Sequence, residues 1–133
     1  MTRFAIDAPT LVHVVSNGLT VHPDHQLVAP NGLRSQALEL LLARVRAGDL
    51  TEKQALALQD PITETKVRLL GDRVSRRTAW DLAREHDWPT LRHAEYLAVT
   101  RLQADALVSV DPELVAVADG VVPLAPLDAL SAP

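Results

Sequence analysis

Short apolar runs separated by helical stretches constrain this chain more than any other feature of its sequence. Residues 3–6 and 106–110 are apolar runs of strand length, and an aspartate follows each of them. Between these runs, apolar residues recur at spacings of three and four, which is typical of amphipathic helices. Strands that alternate with helices pair in parallel through crossover connections. The sequence therefore predicts an α/β fold with helices on both faces of a parallel sheet.

The predicted elements fill the 133 residues as a single domain, without a linker or an internal repeat. We predict about five strands, over residues 3–6, 26–29, 62–69, 106–110 and 121–122, the third being a strand or an extended segment. We predict helices over 8–16 (with a strand as the alternative), 33–47, 51–59, 72–85, 90–103 and from 112 onward. Pro61 is expected to close the third helix, and the tail after about residue 126 is expected to be loosely held.

Composition narrows the class of protein. The chain has no cysteine, a formal net charge of −4 and only 3% aromatic residues. The missing cysteines exclude a disulfide framework and fit a reducing cytoplasm. No apolar run is long enough to cross a bilayer, and we expect no secretory leader at the N-terminus. The negative net charge disfavours a module that attracts DNA through a positive electrostatic potential of the whole domain. It still allows RNA binding through a local basic patch.

Asp7 and Asp111 are the first candidates for a functional site. If their strands are neighbours, both carboxylates face one crevice at the carboxyl edge of the sheet, where parallel sheets form sites. Mg²⁺ takes oxygen ligands, often only one or two carboxylates plus water and phosphates, and it can activate water for phosphoryl chemistry. The alternative is helix capping, because Asp is a favoured N-cap residue and Asp111-Pro112 fits that role. The position of the two aspartates directly before predicted helices, taken alone, favours the capping role.

Four sequence runs carry a family resemblance: RLLGDRV (68–74), TAW (78–80), AEYLA (94–98) and LQADALVSVD (102–111). In this pattern the chain resembles PIN-domain proteins, in particular the VapC-type toxin ribonucleases of toxin–antitoxin pairs. The resemblance covers almost the whole chain and is strongest from 68 to 111. It implies a three-layer α/β/α sandwich that hydrolyses RNA with Mg²⁺ or Mn²⁺ held by a cluster of typically four acids. It also implies a homodimer and an antitoxin segment that lies across the active-site groove.

The resemblance assigns the four acidic positions one by one. Asp7 matches the acid after the first strand, and Asp111 matches the acid after the fourth, with Ser109 where that motif has Thr or Ser. The position after the second strand is usually a Glu, and here it is Gln36. The position that opens the late helix is usually an Asp, and here it is His93. Two of the four acids are therefore replaced.

These replacements put the implied activity in doubt. Gln36 offers a carbonyl oxygen but no charge and no basic group, and the imidazole of His93 suits Zn²⁺, Cu²⁺ or Ni²⁺ better than Mg²⁺. Ser109 and Glu95 are possible supporting residues of the site. Helical spacing points Glu95 away from His93 and places Glu39 on a face next to that of Gln36, so either acid could rescue the site only if its helix shifts. We expect weak or lost ribonuclease activity. The alternative is a non-catalytic module that binds an antitoxin-like protein or RNA. A nucleotide-binding enzyme is disfavoured because no Gly-rich loop follows the first strand.

A basic stripe is the second candidate surface. Arg73, Arg77, Trp80 and Arg84 recur at helical spacing, with Arg76 beside them. Arginine reads phosphates and tryptophan stacks on bases, so the stripe could contact RNA. It could equally contact a protein partner, because Trp and Arg are enriched in interface hot spots. The simplest interpretation, a solvated helix face with Arg77 paired to Asp81, is favoured by the sequence.

Overall fold

The sheet has four parallel strands in the order β3-β2-β1-β4. The computed structural model describes residues 1–133. The strands are β1 (Thr2–Ile6), β2 (His25–Pro30), β3 (Arg68–Leu70) and β4 (Ala106–Val108). Ala5 at the centre of the sheet pairs with Val28 on one side and with Leu107 on the other. The three side chains are fully buried, because helices flank the sheet and a parallel sheet is covered on its faces.

Six α-helices surround this sheet, and a short 3₁₀ helix follows them. They are α1 (Ala8–Ser16), α2 (Leu33–Arg46), α3 (Glu52–Glu64), α4 (Arg73–Glu85), α5 (Arg92–Gln103), α6 (Pro112–Ala118) and the 3₁₀ turn Leu127–Leu130. Helices α1, α2 and α3 pack against one another, whereas α5 packs on β1 and β2 and carries α4. The predicted α/β class is confirmed, and the first helical segment is a helix rather than the alternative strand. The core is aliphatic, with Leu11, Leu97 and Leu107 completely buried.

The prediction that Pro61 ends the third helix is wrong. Helix α3 continues through Pro61 to Glu64, and the predicted strand over 62–69 is reduced to Arg68–Leu70. Proline in a helix costs about 3 kcal/mol. Complete burial of Ile62 one residue later recovers about 1.5–3 kcal/mol. The carbonyl of Pro61 also accepts hydrogen bonds from the backbone N–H and the hydroxyl of Thr65, which closes the helix.

The end of the sheet also differs from the prediction. Val121 and Val122 form no strand, because their N–H groups donate to the carbonyl of Ala118 and close α6. The fifth strand is reduced to one bridge between Leu124 and Leu107. The sheet therefore has four strands rather than about five, and β4 stops at Val108.

The C-terminal tail is held in place, contrary to the expectation of a loose end. Leu130 is 2% exposed, and its carbonyl accepts a hydrogen bond of 2.8 Å from the N–H of His22. The hydroxyl of Ser131 donates to the carbonyl of Thr20 at 2.6 Å. Nε2 of His25 also lies 2.5 Å from the carbonyl oxygen of Ala132, so one buried leucine and three long-range hydrogen bonds fix this segment. No helix in the chain combines the length and the apolar character needed to span a membrane.

Candidate functional site

A groove of about 890 Å³ lies at the carboxyl edge of the sheet. Strands β1 and β4 are neighbours, so Asp7 and Asp111, which follow them, face the same space. Gln36 from α2 and His93 from α5 line this groove as well. All four positions that the family resemblance assigns to the acidic cluster therefore meet in one groove. Its remaining polar lining is Glu39, Thr90, Arg92, Glu95, Tyr96 and Glu113.

Asp7 is both the N-cap of α1 and the most buried carboxylate of the groove, with 2% of its surface exposed. Its Oδ1 accepts hydrogen bonds from the backbone N–H of Thr10, at 3.1 Å, and from the Thr10 hydroxyl. Its Oδ2 accepts a hydrogen bond of 2.7 Å from the hydroxyl of Ser109. Burial raises the pKa of Asp7 above its usual value, and the nearby charge of Asp111 raises it further, while these hydrogen bonds oppose the rise. The side chain of Asp7 therefore both caps α1 and lines the groove.

Ser109 joins the two aspartates. Its Oγ donates to Asp7 and accepts a hydrogen bond of 3.0 Å from the backbone N–H of Asp111. Asp111 in turn caps α6, because its Oδ1 accepts from the N–H of Glu113 at 3.0 Å. The second oxygen of Asp111 has no hydrogen-bond partner in the protein. One hydroxyl therefore sets the relative position of both carboxylates, in the supporting role that the sequence suggested for Ser109.

Gln36 is fixed by a buried tyrosine. The hydroxyl of Tyr96 donates to Oε1 of Gln36 at 2.6 Å, and Tyr96 is 2% exposed. Burial, together with the carboxylates of Asp7 and Glu95, raises the pKa of Tyr96 well above its usual value. The tyrosine therefore stays protonated and keeps donating. This bond uses one of the two lone pairs of Oε1, the one oxygen through which Gln36 could replace a glutamate as a ligand.

His93 is paired across the mouth of the groove with a residue that sequence reasoning missed. Its Nε2 lies 3.2 Å from Oε1 of Glu113, which joins α5 to α6. The side chain of His93 is 24% exposed and that of Glu113 is 78% exposed. The available signal for Glu113 was its place two residues after Asp111, in the first turn of the same helix.

The expectation that Glu95 points away from the site is wrong, because Glu95 lines the groove, as does Glu39. Helix α5 begins only at Arg92, so its first turn wraps around the rim of the groove and brings several consecutive side chains to it. Even so, no three His, Asp or Glu side chains of the molecule come together as a set that could hold a metal ion. Asp7 and Asp111 remain the only pair of the assigned acids, which is an incomplete donor set for Mg²⁺ or Mn²⁺.

The basic stripe lies on α4 and does not line this groove. Arg77 forms the expected pair with Asp81, its Nε being 3.1 Å from Oδ1. Trp80 is 55% exposed. Arg76, placed beside the stripe by its sequence spacing, lines a smaller recess of about 170 Å³ that also includes Glu95. This recess adjoins the groove through Glu95, which belongs to both.

Comparison with known proteins bears on the fold. No family model and no curated protein matches this sequence. The chain is similar in structure to PAE2754 from Pyrobaculum aerophilum, whose crystal structure it matches with a TM-score of 0.69. The match has 18% sequence identity and covers 97% of this chain and 93% of that chain. At this level of identity the likeness shows a shared fold over nearly the whole length, and it shows nothing more.

Proposed function

We propose that this chain is a PIN-like domain of the toxin ribonuclease type, with a three-layer α/β/α architecture, in which RNA cleavage is weak or lost. The observation that carries the proposal is the convergence of Asp7, Gln36, His93 and Asp111 on one groove. The four positions belong to four different elements and come from both ends of the chain. This convergence supports the proposal, because a metal site needs its ligands in one groove, whereas neighbouring parallel strands alone would bring together only Asp7 and Asp111.

The side chains in this groove support weakened chemistry. A nuclease of this kind needs negative charge to hold a divalent cation, and the cation then activates water. Asp7 and Asp111 are the residues that would hold it. Asp7 is surrounded by three hydrogen-bond donors, Gln36 is engaged by Tyr96, and His93 faces Glu113. The donor set present does not fit a complete Mg²⁺ site, so we assign no catalytic step to the cation.

Cleavage assays with purified protein test this proposal. Single-stranded and structured RNAs are incubated with Mg²⁺ or Mn²⁺, and wild type is compared with Asp7→Asn and with Gln36→Glu plus His93→Asp. We expect little or no cleavage by wild type and a gain in the double variant. Robust cleavage by wild type that Asp7→Asn abolishes would contradict the proposed loss of activity.

A second candidate function is a non-catalytic binding module for an antitoxin-like protein or for RNA. The bond between Tyr96 and Gln36 favours it, because a buried tyrosine fixes the amide of Gln36 in the lining of the groove. Binding sites are usually largely preformed in this way. Pull-down with a candidate small antitoxin-like protein, comparing wild type with Tyr96→Phe, separates this function from catalysis.

A further inference from the structure

We infer that an exposed face of α4 binds single-stranded RNA outside the groove. This α4 face is defined by Arg73, Arg76, Trp80 and Arg84. The inference rests on the proposed function in one respect, namely that the ligand is RNA. It requires no cleavage, so the surface would still bind RNA if the chemistry of the groove were lost.

Positive charge predominates on the α4 face. Arg77 is tied to Asp81 at 3.1 Å, but Arg73, Arg76 and Arg84 form no ion pair in the structure. All of them are exposed. In a chain with a net charge of −4, three free guanidinium groups within one helix are a local excess of positive charge. Guanidinium groups pair with phosphates in a bidentate manner and keep their charge at every accessible pH.

Trp80 is the centre of the α4 face. Arg76 and Arg84 lie four residues before and after it, which places them on its side of the helix. The other tryptophan, Trp88, is stacked on His86 with ring centroids 4.6 Å apart, whereas Trp80 leaves 55% of its surface open. An exposed indole with cations on both sides combines a stacking platform with charge neutralisation, which is how proteins hold single strands.

The position of Arg76 connects the α4 face to the groove. Arg76 lines the smaller recess, and that recess shares Glu95 with the groove. A strand that leaves the groove over Glu95 therefore reaches Arg76 first and Trp80 one helical turn later. The backbone N–H of Ser75 lowers the pKa of Asp72, and the charge of Arg76 contributes to the same effect. Asp72 is thus ionised, so Asp72 and Glu95 are both acidic side chains at the start of this track.

The pattern of apolar side chains favours RNA over a protein partner. A protein hot spot is set among further apolar contacts that exclude water. The other large exposed apolar side chain of α4 is Val74, which is 59% exposed. It lies six residues before Trp80 and hence on a different side of the helix. Trp80 is therefore a lone aromatic ring among arginines.

Fluorescence anisotropy with a labelled single-stranded RNA of about 12 nucleotides tests this inference, in EDTA so that no cleavage intervenes. We expect Trp80→Ala to weaken binding about tenfold, since stacking contributes on the order of 1–3 kcal/mol per base. Trp80→Phe should retain most of the affinity. With about three phosphates neutralised, the slope of log K against log salt should be about −2, and Arg76→Gln should reduce its magnitude by about 0.7.

Arg46→Gln is the matched control, because Arg46 is exposed on α2 among the helices α1 to α3. It should bind as wild type does, and thermal melts should show that all the variants are folded. Equal affinity of Trp80→Ala and wild type would overturn the inference. Failure of wild type to bind RNA at low salt would also overturn it and would leave the face to a protein partner. Neither outcome bears on the proposed loss of cleavage, which is measured separately with Mg²⁺ or Mn²⁺.

Discussion

Asp7 accepts hydrogen bonds from Thr10 and Ser109 in a setting that water barely reaches. Burial raises its pKa, so the folded protein binds this proton more tightly than the unfolded chain does. The stability that this proton contributes is complete below the unfolded value, 3.8, and is lost as the pH rises through the folded pKa. At neutral pH the charged form of Asp7 therefore destabilises the folded protein, as is common for residues of functional sites.

Asp7→Asn should consequently be more stable than wild type at pH 7, by on the order of 1 kcal/mol, because asparagine caps a helix as well as aspartate and carries no charge. The gain should shrink as the pH falls and disappear by about pH 3, below the unfolded value of 3.8, where Asp7 is protonated in both states. Urea denaturation at the two pH values measures this difference. If the variant were less stable than wild type at pH 7, charged Asp7 would not destabilise the folded protein as we infer.

Ser109→Ala should have the opposite effect. It removes the hydroxyl that donates to Asp7 and accepts from the N–H of Asp111, and a buried acceptor left without its donor costs about 1–3 kcal/mol. The loss should be smaller when Asp7 is already asparagine, because the two side chains are coupled. A double-mutant cycle by urea denaturation measures that coupling, and strictly additive effects would argue against the link.

At the scale of elements, local signals predicted the secondary structure where one residue type decides it. Asp7, Thr51 and Asp72 begin α1, α3 and α4 as N-caps. The local signals failed where packing between distant residues decides the structure. At Pro61 the β-branched residues that follow suggested a strand, whereas the burial of Ile62 keeps a helix.

The candidate site could likewise be predicted only in part from the sequence. Asp7 and Asp111 follow strands, but the bonds of Tyr96 to Gln36 and of His93 to Glu113 join elements that are far apart in sequence.

Replacing Pro61 tests the continuity of α3. Pro61→Ala should stabilise the protein by about 1 kcal/mol or more, because it removes the ring clash and restores a backbone donor inside the helix. Lys53→Ala, at an exposed position of the same helix, is the control and should stay within about 0.5 kcal/mol of wild type. Thermal and urea denaturation measure both variants. Destabilisation by Pro61→Ala would indicate that the proline defines a helix end after all.

At the scale of the whole molecule, the sheet order gathers residues from both ends of the chain at one edge. Strand β1 lies between β2 and β4, so Asp7 and Asp111 become neighbours, while α2 and α5 bring Gln36 and His93 to the same groove. The same edge continues past Glu95 to the α4 face. The fold thus separates a groove lined by carboxylates from a basic surface on α4. Loss of cleavage and retention of RNA binding are compatible in such a molecule.

Mg²⁺ binding measured by calorimetry tests the central claim most directly, namely that Gln36 and His93 occupy two lost acidic positions of a cation site. The comparison is between wild type and Gln36→Glu plus His93→Asp, with Gln59→Glu plus His86→Asp as the control that makes the same chemical changes outside the groove. We expect binding at least about tenfold tighter in the groove variant, which corresponds to about 1.4 kcal/mol, and no gain in the control. An affinity equal to that of wild type, or an equal gain in the control, would contradict the central claim.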